Sequence, residues 1–90
     1  MLYMVIEHFA EGAAAGIYRN LRDHGRRLPA GLEYIESWVD LDYWRCFQLM
    51  RTDDPALFDE WTNAWGEVGQ FEVIPVRTSA EAQAQIADQL

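Results

Sequence analysis

His8 closes the run "LYMVIEH", and Cys46 and Gln48 stand two apart in "RCFQLM". Histidine is the side chain whose charge changes near neutral pH, so one set among apolar neighbours can serve as a general base or proton shuttle. His8 is the candidate catalytic residue on that ground. The plainer alternative is a ring whose nitrogens are satisfied by backbone or water. Gln48, an amide inside an apolar run, has both donors and acceptors to place and could orient a ligand carbonyl, although a bond to a backbone group is commoner. Cys46 is the single cysteine, and a mid-strand cysteine usually behaves as a small buried hydrophobe. Trp38, Trp44, Trp61 and Trp65 could line an aromatic cavity, with Tyr18, His8 and Gln48 as its polar groups. Trp61 and Trp65 lie one helical turn apart on one face, a spacing that is more often plain core packing.

Other chargeable residues read as structural. Antiparallel pairing of the strands bearing them would let Glu7 reach Arg45 and satisfy a buried charge, and would set His8 near Trp44 or Cys46. His24 falls near the end of a helix, where a cation suits the dipole. The two histidines and one cysteine have no metal-ligand spacing, so neither a metal nor a cofactor is expected. Arg19, Arg22, Arg26 and Arg27 concentrate positive charge in one stretch, the first three on one helical face. They could receive an anionic substrate tail, but a solvated, ion-paired face is the ordinary reading. The absence of lysine excludes Schiff-base chemistry on a side chain. No nucleophile elbow or phosphate-cradling glycine loop is present.

The elements that would position these groups follow from periodicity and punctuation. Leu2 to Phe9 is β-branched and aromatic without a breaker, and reads as a strand. Ala14, Ile17, Tyr18 and Leu21 repeat at helical spacing, with Gly25 and Pro29 marking the exit. Gly31 to Val39 alternates as a second strand, Asp40 to Asp42 turn, and Tyr43 to Arg51 forms a third, making a hairpin. Asp54 and Pro55 supply an N-cap and a first-turn proline for a helix striped by Leu57, Trp61, Ala64, Trp65 and Val68. "QFEVIPV" is a fourth strand whose Pro75 suits a sheet edge. Thr78 and Glu81 have capping-box spacing before a last helix. The order βαββαβ plus a terminal helix is the ferredoxin-like α+β pattern, a single domain over residues 1–90, with the first and third strands central and antiparallel.

Ninety residues at 50% hydrophobic and 13% aromatic content are too few to hide their own apolar surface. Helices cover one face of the sheet, and the other demands a cover, for which a second copy is the economical choice, giving a homodimer. Fifteen acidic residues against seven arginines give a net charge of −8, which argues against nucleic acid and against an anionic membrane. No apolar run approaches a membrane span and no leader is evident, and a lone cysteine fits a reducing cytoplasm.

The blocks "MLYMVIEHF", "GLEYIESWV", "RCFQLMRTDDPALFDEW" and "FEVIPVRTSAEA" resemble, in order and over nearly the whole chain, an uncharacterised bacterial family, domain of unknown function 3303. That family is similar to the dimeric α/β-barrel group, which includes antibiotic-biosynthesis monooxygenases, muconolactone isomerases and small stress-response barrels. The resemblance implies the fold already read and a ligand cavity between the sheet and helices of each protomer. It carries no catalytic motif. The expectation is a protein that binds a small apolar or aromatic molecule. The alternatives are a cofactor-independent monooxygenase or isomerase with His8 as proton shuttle, or a structural or regulatory dimerisation module. A cavity of several hundred Å³ holding His8 and Gln48 would favour the first two, and a fully packed interior the third.

Overall fold

The computed structural model describes residues 1–66 and 69–90. Its elements run β1 (Leu2–Phe9), α1 (Ala14–His24), β2 (Glu33–Val39), β3 (Arg45–Arg51), α2 (Leu57–Trp65), β4 (Gly69–Val76) and α3 (Ser79–Ile86), followed by a short 3₁₀ turn, Ala87–Gln89. The four strands form one antiparallel sheet in the order β2-β3-β1-β4, so β1 and β3 are central and Pro75 lies on an edge strand. This is the ferredoxin-like α+β arrangement.

Alternation along β1 and β3 divides the sheet into two faces. Tyr3, Val5, Glu7 and Phe9 of β1 are buried with Cys46, Gln48 and Met50 of β3. Ser37 and Val39 of β2 stand opposite Gln48 and Cys46 on this same side. The helices cover it with two apolar clusters. α2 brings Phe58 and Trp61 against Tyr3, Val5, Leu32 and Met50. α1 brings Ile17 against Phe9 and Cys46, and Trp65 packs against both groups. Burial of side chains this large contributes about 1.5–3 kcal/mol each.

The stripe on α2 is rotated from its expected position. Phe58 is buried and Ala64 exposed, because α2 turns its Phe58–Trp61–Trp65 edge to the sheet, while Val68 lies outside the described residues. The third strand starts at Arg45, two residues later than its β-like run, because Tyr43 takes a left-handed φ of 60° in the hairpin turn. Asp40 secures that turn, accepting bonds from the Trp44 and Arg45 amides at 2.7 and 3.2 Å. Gly69 starts β4 where a Cβ would fall 1.9 Å from the His8 carbonyl oxygen, so only glycine lets β4 close on β1 there. At α3 the Thr78 hydroxyl accepts from the Glu81 amide at 3.1 Å, as the capping-box spacing predicts.

Among the described residues nothing covers the second sheet face. Leu2, Met4, Ile6, Phe47 and Leu49 are only half-buried, and Trp38 and Ile74 are exposed. α3 buries no residue. The radius of gyration is 15.0 Å, against about 12 Å for a compact chain of this length.

Candidate functional site

Each helix packs about its own apolar cluster, and the seam between the clusters is where polar side chains enter the interior. Glu7 of β1 and Gln48 of β3 point into it, 6% and 3% exposed. They bound a cavity of about 60 Å³ whose apolar walls are Phe9, Ile17, Leu21, Trp61, Trp65 and Phe71, and whose other polar groups are Tyr18, Arg26, Ser37 and the Cys46 thiol. A shallower cleft of about 370 Å³ lined by Tyr18, Val39, Asp40, Leu41 and Tyr43 adjoins it. Tyr18 and Val39 belong to both spaces, and Tyr18 is 38% exposed, so it stands where the cavity meets solvent. The Tyr18 ring meets Tyr43 edge-on, with centroids 6.2 Å apart.

Arg26 enters the seam from beyond α1. Gly25 ends that helix with φ 66°, so Arg26 leaves the helical face on which its spacing from Arg19 and Arg22 would put it. Its carbonyl oxygen accepts from both tryptophan indoles of α2, Trp61 Nε1 at 2.8 Å and Trp65 Nε1 at 2.9 Å. The indoles therefore pin the segment, and the guanidinium lies 3.6 Å over the Tyr34 ring with Nη1 3.5 Å from the Gln48 amide oxygen. Arg22, Arg45 and Arg51 each have a carboxylate partner. Among the described residues no carboxylate lies within ion-pair distance of Arg26.

Glu7 is the most perturbed acid of the site. Burial pushes its carboxyl from the usual 4.5 up to about 7, and among the described residues it has no hydrogen-bond partner. The Cys46 thiol is pushed up to about 11, first by burial and then by Glu7, with Arg26 pulling the other way. It stays protonated and forms part of the wall rather than a nucleophile. Burial, then Cys46, Tyr43 and Glu7, also raise the Tyr18 phenol, against Arg26. Glu7, Arg26, Tyr18 and Cys46 thus share one electrostatic space, although Glu7 and Arg26 make no pair.

The cavity brings together Tyr18, Cys46, Gln48, Trp61 and Trp65 of the expected site. Trp38, Trp44 and His8 are elsewhere. Trp38 stands opposite Phe47 on the uncovered face and is 54% exposed. Trp44 precedes β3, lies in the turn and is also 54% exposed. His8 stands opposite Arg45, again on the uncovered face, with Nε2 2.5 Å from Glu72 Oε1. The expected Glu7–Arg45 contact does not form. Directly opposed residues share a face, and Glu7 opposes Cys46, while Arg45 pairs with Asp40 at 3.4 Å. Glu7 and Arg26 were not foremost in the sequence reading. An acid at an inward position of an otherwise apolar strand was the signal for Glu7, and Gly25 the signal that Arg26 leaves its helix. Among the described residues no group of three metal-ligating side chains occurs, and no helix is long and apolar enough to cross a membrane.

Sheet, helices and seam define a ferredoxin-like α+β fold with polar side chains at an internal cavity. The chain belongs to the family described as "Domain of unknown function (DUF3303)", whose model matches residues 1–90. No curated protein and no solved structure matches the chain.

Proposed function

We propose that the protein binds a small molecule with an apolar or aromatic body in the cavity between sheet and helices, and that it does so as a homodimer. The observation carrying the first part is the seam itself: apolar walls enclosing a buried carboxyl, an amide and a guanidinium, the make-up of a ligand site rather than of a packed core. The inner cavity is well below the several hundred Å³ of a drug-sized pocket. It suits the head of a ligand, with the remainder lying past Tyr18 in the outer cleft beside Leu41 and Tyr43. The second part is supported by the half-buried row Leu2, Met4, Ile6, Phe47 and Leu49, by exposed Trp38 and by the unpacked α3. A second copy laid face to face on this sheet buries that row.

Tryptophan emission tests the ligand reading, since Trp61 and Trp65 form the wall. Titration with benzyl alcohol or benzoate is expected to change the emission saturably and raise Tm. Neither response at millimolar ligand would contradict the reading. Native mass spectrometry reports subunit number and any retained small molecule together. An enzymatic reading with His8 as proton shuttle places its chemistry on the opposite face, beside Glu72, within the space a second copy would close. Under that reading His8→Ala abolishes turnover of a candidate substrate, and unaltered turnover removes it.

A further inference from the structure

The ligand's polar end can be inferred from the charges the seam leaves unmatched. In a chain with fifteen acidic residues and seven arginines, Arg26 reaches a cavity without a carboxylate partner among the described residues. Its guanidinium is held from two sides, by the Tyr34 ring and by the Gln48 amide oxygen. Its backbone is held by the Trp61 and Trp65 indoles. A guanidinium fixed in this way presents its remaining N–H groups in a planar fork that matches a carboxylate. Glu7 is more than nine-tenths buried, lines the same cavity and is bonded to no described residue. Its carboxyl is thus free to hydrogen-bond a guest.

We propose that the cavity is a site for a small monocarboxylic acid with an apolar or aromatic body, whose carboxylate is received by Arg26 and hydrogen-bonded by the Glu7 carboxyl. The proposal rests on the cavity being a ligand site. A ligand amine would meet Arg26 with like charge. A wholly apolar ligand would leave the Glu7 carboxyl, and the Arg26 N–H groups beyond the one that Gln48 accepts, desolvated without partners. A carboxylate satisfies Arg26 directly and shares the Glu7 proton, while the body extends past Tyr18 into the outer cleft.

Binding is coupled to pH, because an ionised Glu7 would set two carboxylates side by side. The other titratable or charged groups lining the cavity are Tyr18 from α1, Cys46 from β3 and Arg26 after α1. β2 presents Ser37 and Val39 there, α2 presents Trp61 and Trp65, and β4 presents Phe71, none of which titrates. Burial holds both Tyr18 and Cys46 above their ordinary values, so Glu7 is the lining group that changes charge near neutrality.

The test is calorimetric titration of the full chain with benzoate and with its neutral counterpart benzyl alcohol, at about pH 6 and about pH 8.5, in two buffers of different ionisation enthalpy. With Glu7 titrating at about 7, benzoate binds about 30-fold more weakly at the higher pH, the factor by which the protonated form is depleted. Binding there takes up close to one proton, and benzyl alcohol shows neither effect. In Glu7→Gln the benzoate affinity no longer differs between the two pH values and binding takes up no proton. Arg26→Met loses benzoate affinity about tenfold or more, and by a larger factor than benzyl alcohol affinity. Benzyl alcohol binding as tightly as benzoate at pH 6, or a benzoate pH dependence that survives Glu7→Gln, would overturn the carboxylate proposal and leave the ligand reading standing. Failure of both compounds to bind would overturn the two together.

Discussion

The two faces of the central sheet are built from alternate residues of the same strands, and they differ in kind. The helix-covered face buries Tyr3, Val5 and Met50 and then admits Glu7 and Gln48 at the seam between two apolar clusters. The uncovered face carries the apolar row Leu2, Met4, Ile6, Phe47 and Leu49, and its chargeable groups stay in reach of water: His8 with Glu72, and Arg45, toward one end, Glu36 opposite Leu49, and Arg51 with Glu33 at the other end. Polarity enters the interior where helix packing leaves a gap, and apolarity is displayed where nothing from the chain's own helices covers it. The proposed ligand site lies on the first face and the proposed interface between copies on the second.

Neighbouring positions on β1 break this comparison most sharply. Val5 is fully buried under the helices and Ile6 half-buried on the uncovered face. Val5→Asp places an unpaired charge in the core and is expected to cost at least about 4 kcal/mol, unfolding the chain in denaturant titrations. Ile6→Asp is expected to leave the fold intact by circular dichroism and, under the proposed homodimer, to sediment as a monomer at micromolar concentration where the unaltered chain sediments as a dimer. Equal unfolding by both variants would contradict the assignment of the faces.

The next effect comes from Glu7. Its carboxyl titrates higher in the folded chain than unfolded, so the folded state binds the proton more tightly and stability is lost as pH rises from about 4.5 through about 7. The full loss, for a rise of that size, is about 3 kcal/mol. Glu7→Gln is therefore expected to stabilise the protein by up to about 3 kcal/mol above pH 8 and to leave stability unchanged near pH 4. Urea unfolding at both pH values checks it, and a variant less stable at high pH would show that Glu7 has a partner.

Smaller effects sharpen the account of how Arg26 is held. Trp61→Phe or Trp65→Phe removes one indole N–H while the Arg26 carbonyl keeps the other, so each alone is expected to cost about 1 kcal/mol beyond packing changes. The double variant leaves the carbonyl unpartnered and should cost more than the sum, which a double-mutant cycle measures. Least of all, Thr78→Ala is expected to cost about 1 kcal/mol of local α3 stability. It should show as faster amide exchange in α3 without change in the sheet, since α3 buries no residue.

Much of the fold was legible in local chemistry. Pro75 announced an edge, Thr78 and Glu81 a cap, and Tyr43–Arg51 most of a strand. Each depends on residues near one another in sequence. The site was legible only in part, because its membership depends on which face the helices choose and on a register that couples distant strands. Alternation separates Glu7 from His8 but does not say which is covered, and the one-residue difference between opposing Arg45 and opposing Cys46 moves Glu7 from an ion pair to a cavity. Trp38 and Trp44 carry the same aromatic signal as Trp61 and Trp65, yet lie outside the cavity, on the uncovered face and in the hairpin turn, since aromaticity reports burial potential and not the surface that realises it. Arg26 was masked by its spacing from Arg19 and Arg22, which Gly25 makes irrelevant.

The account turns on a carboxyl confined, without a partner among the described residues, on the helix side of the sheet. Carbon-detected NMR titration of the Glu7 side-chain carboxyl, assigned by comparison with Glu7→Gln, measures this directly. A midpoint near 7 is predicted, and a midpoint near the ordinary 4.5 would show that Glu7 is solvated or paired and that the seam is not the site described.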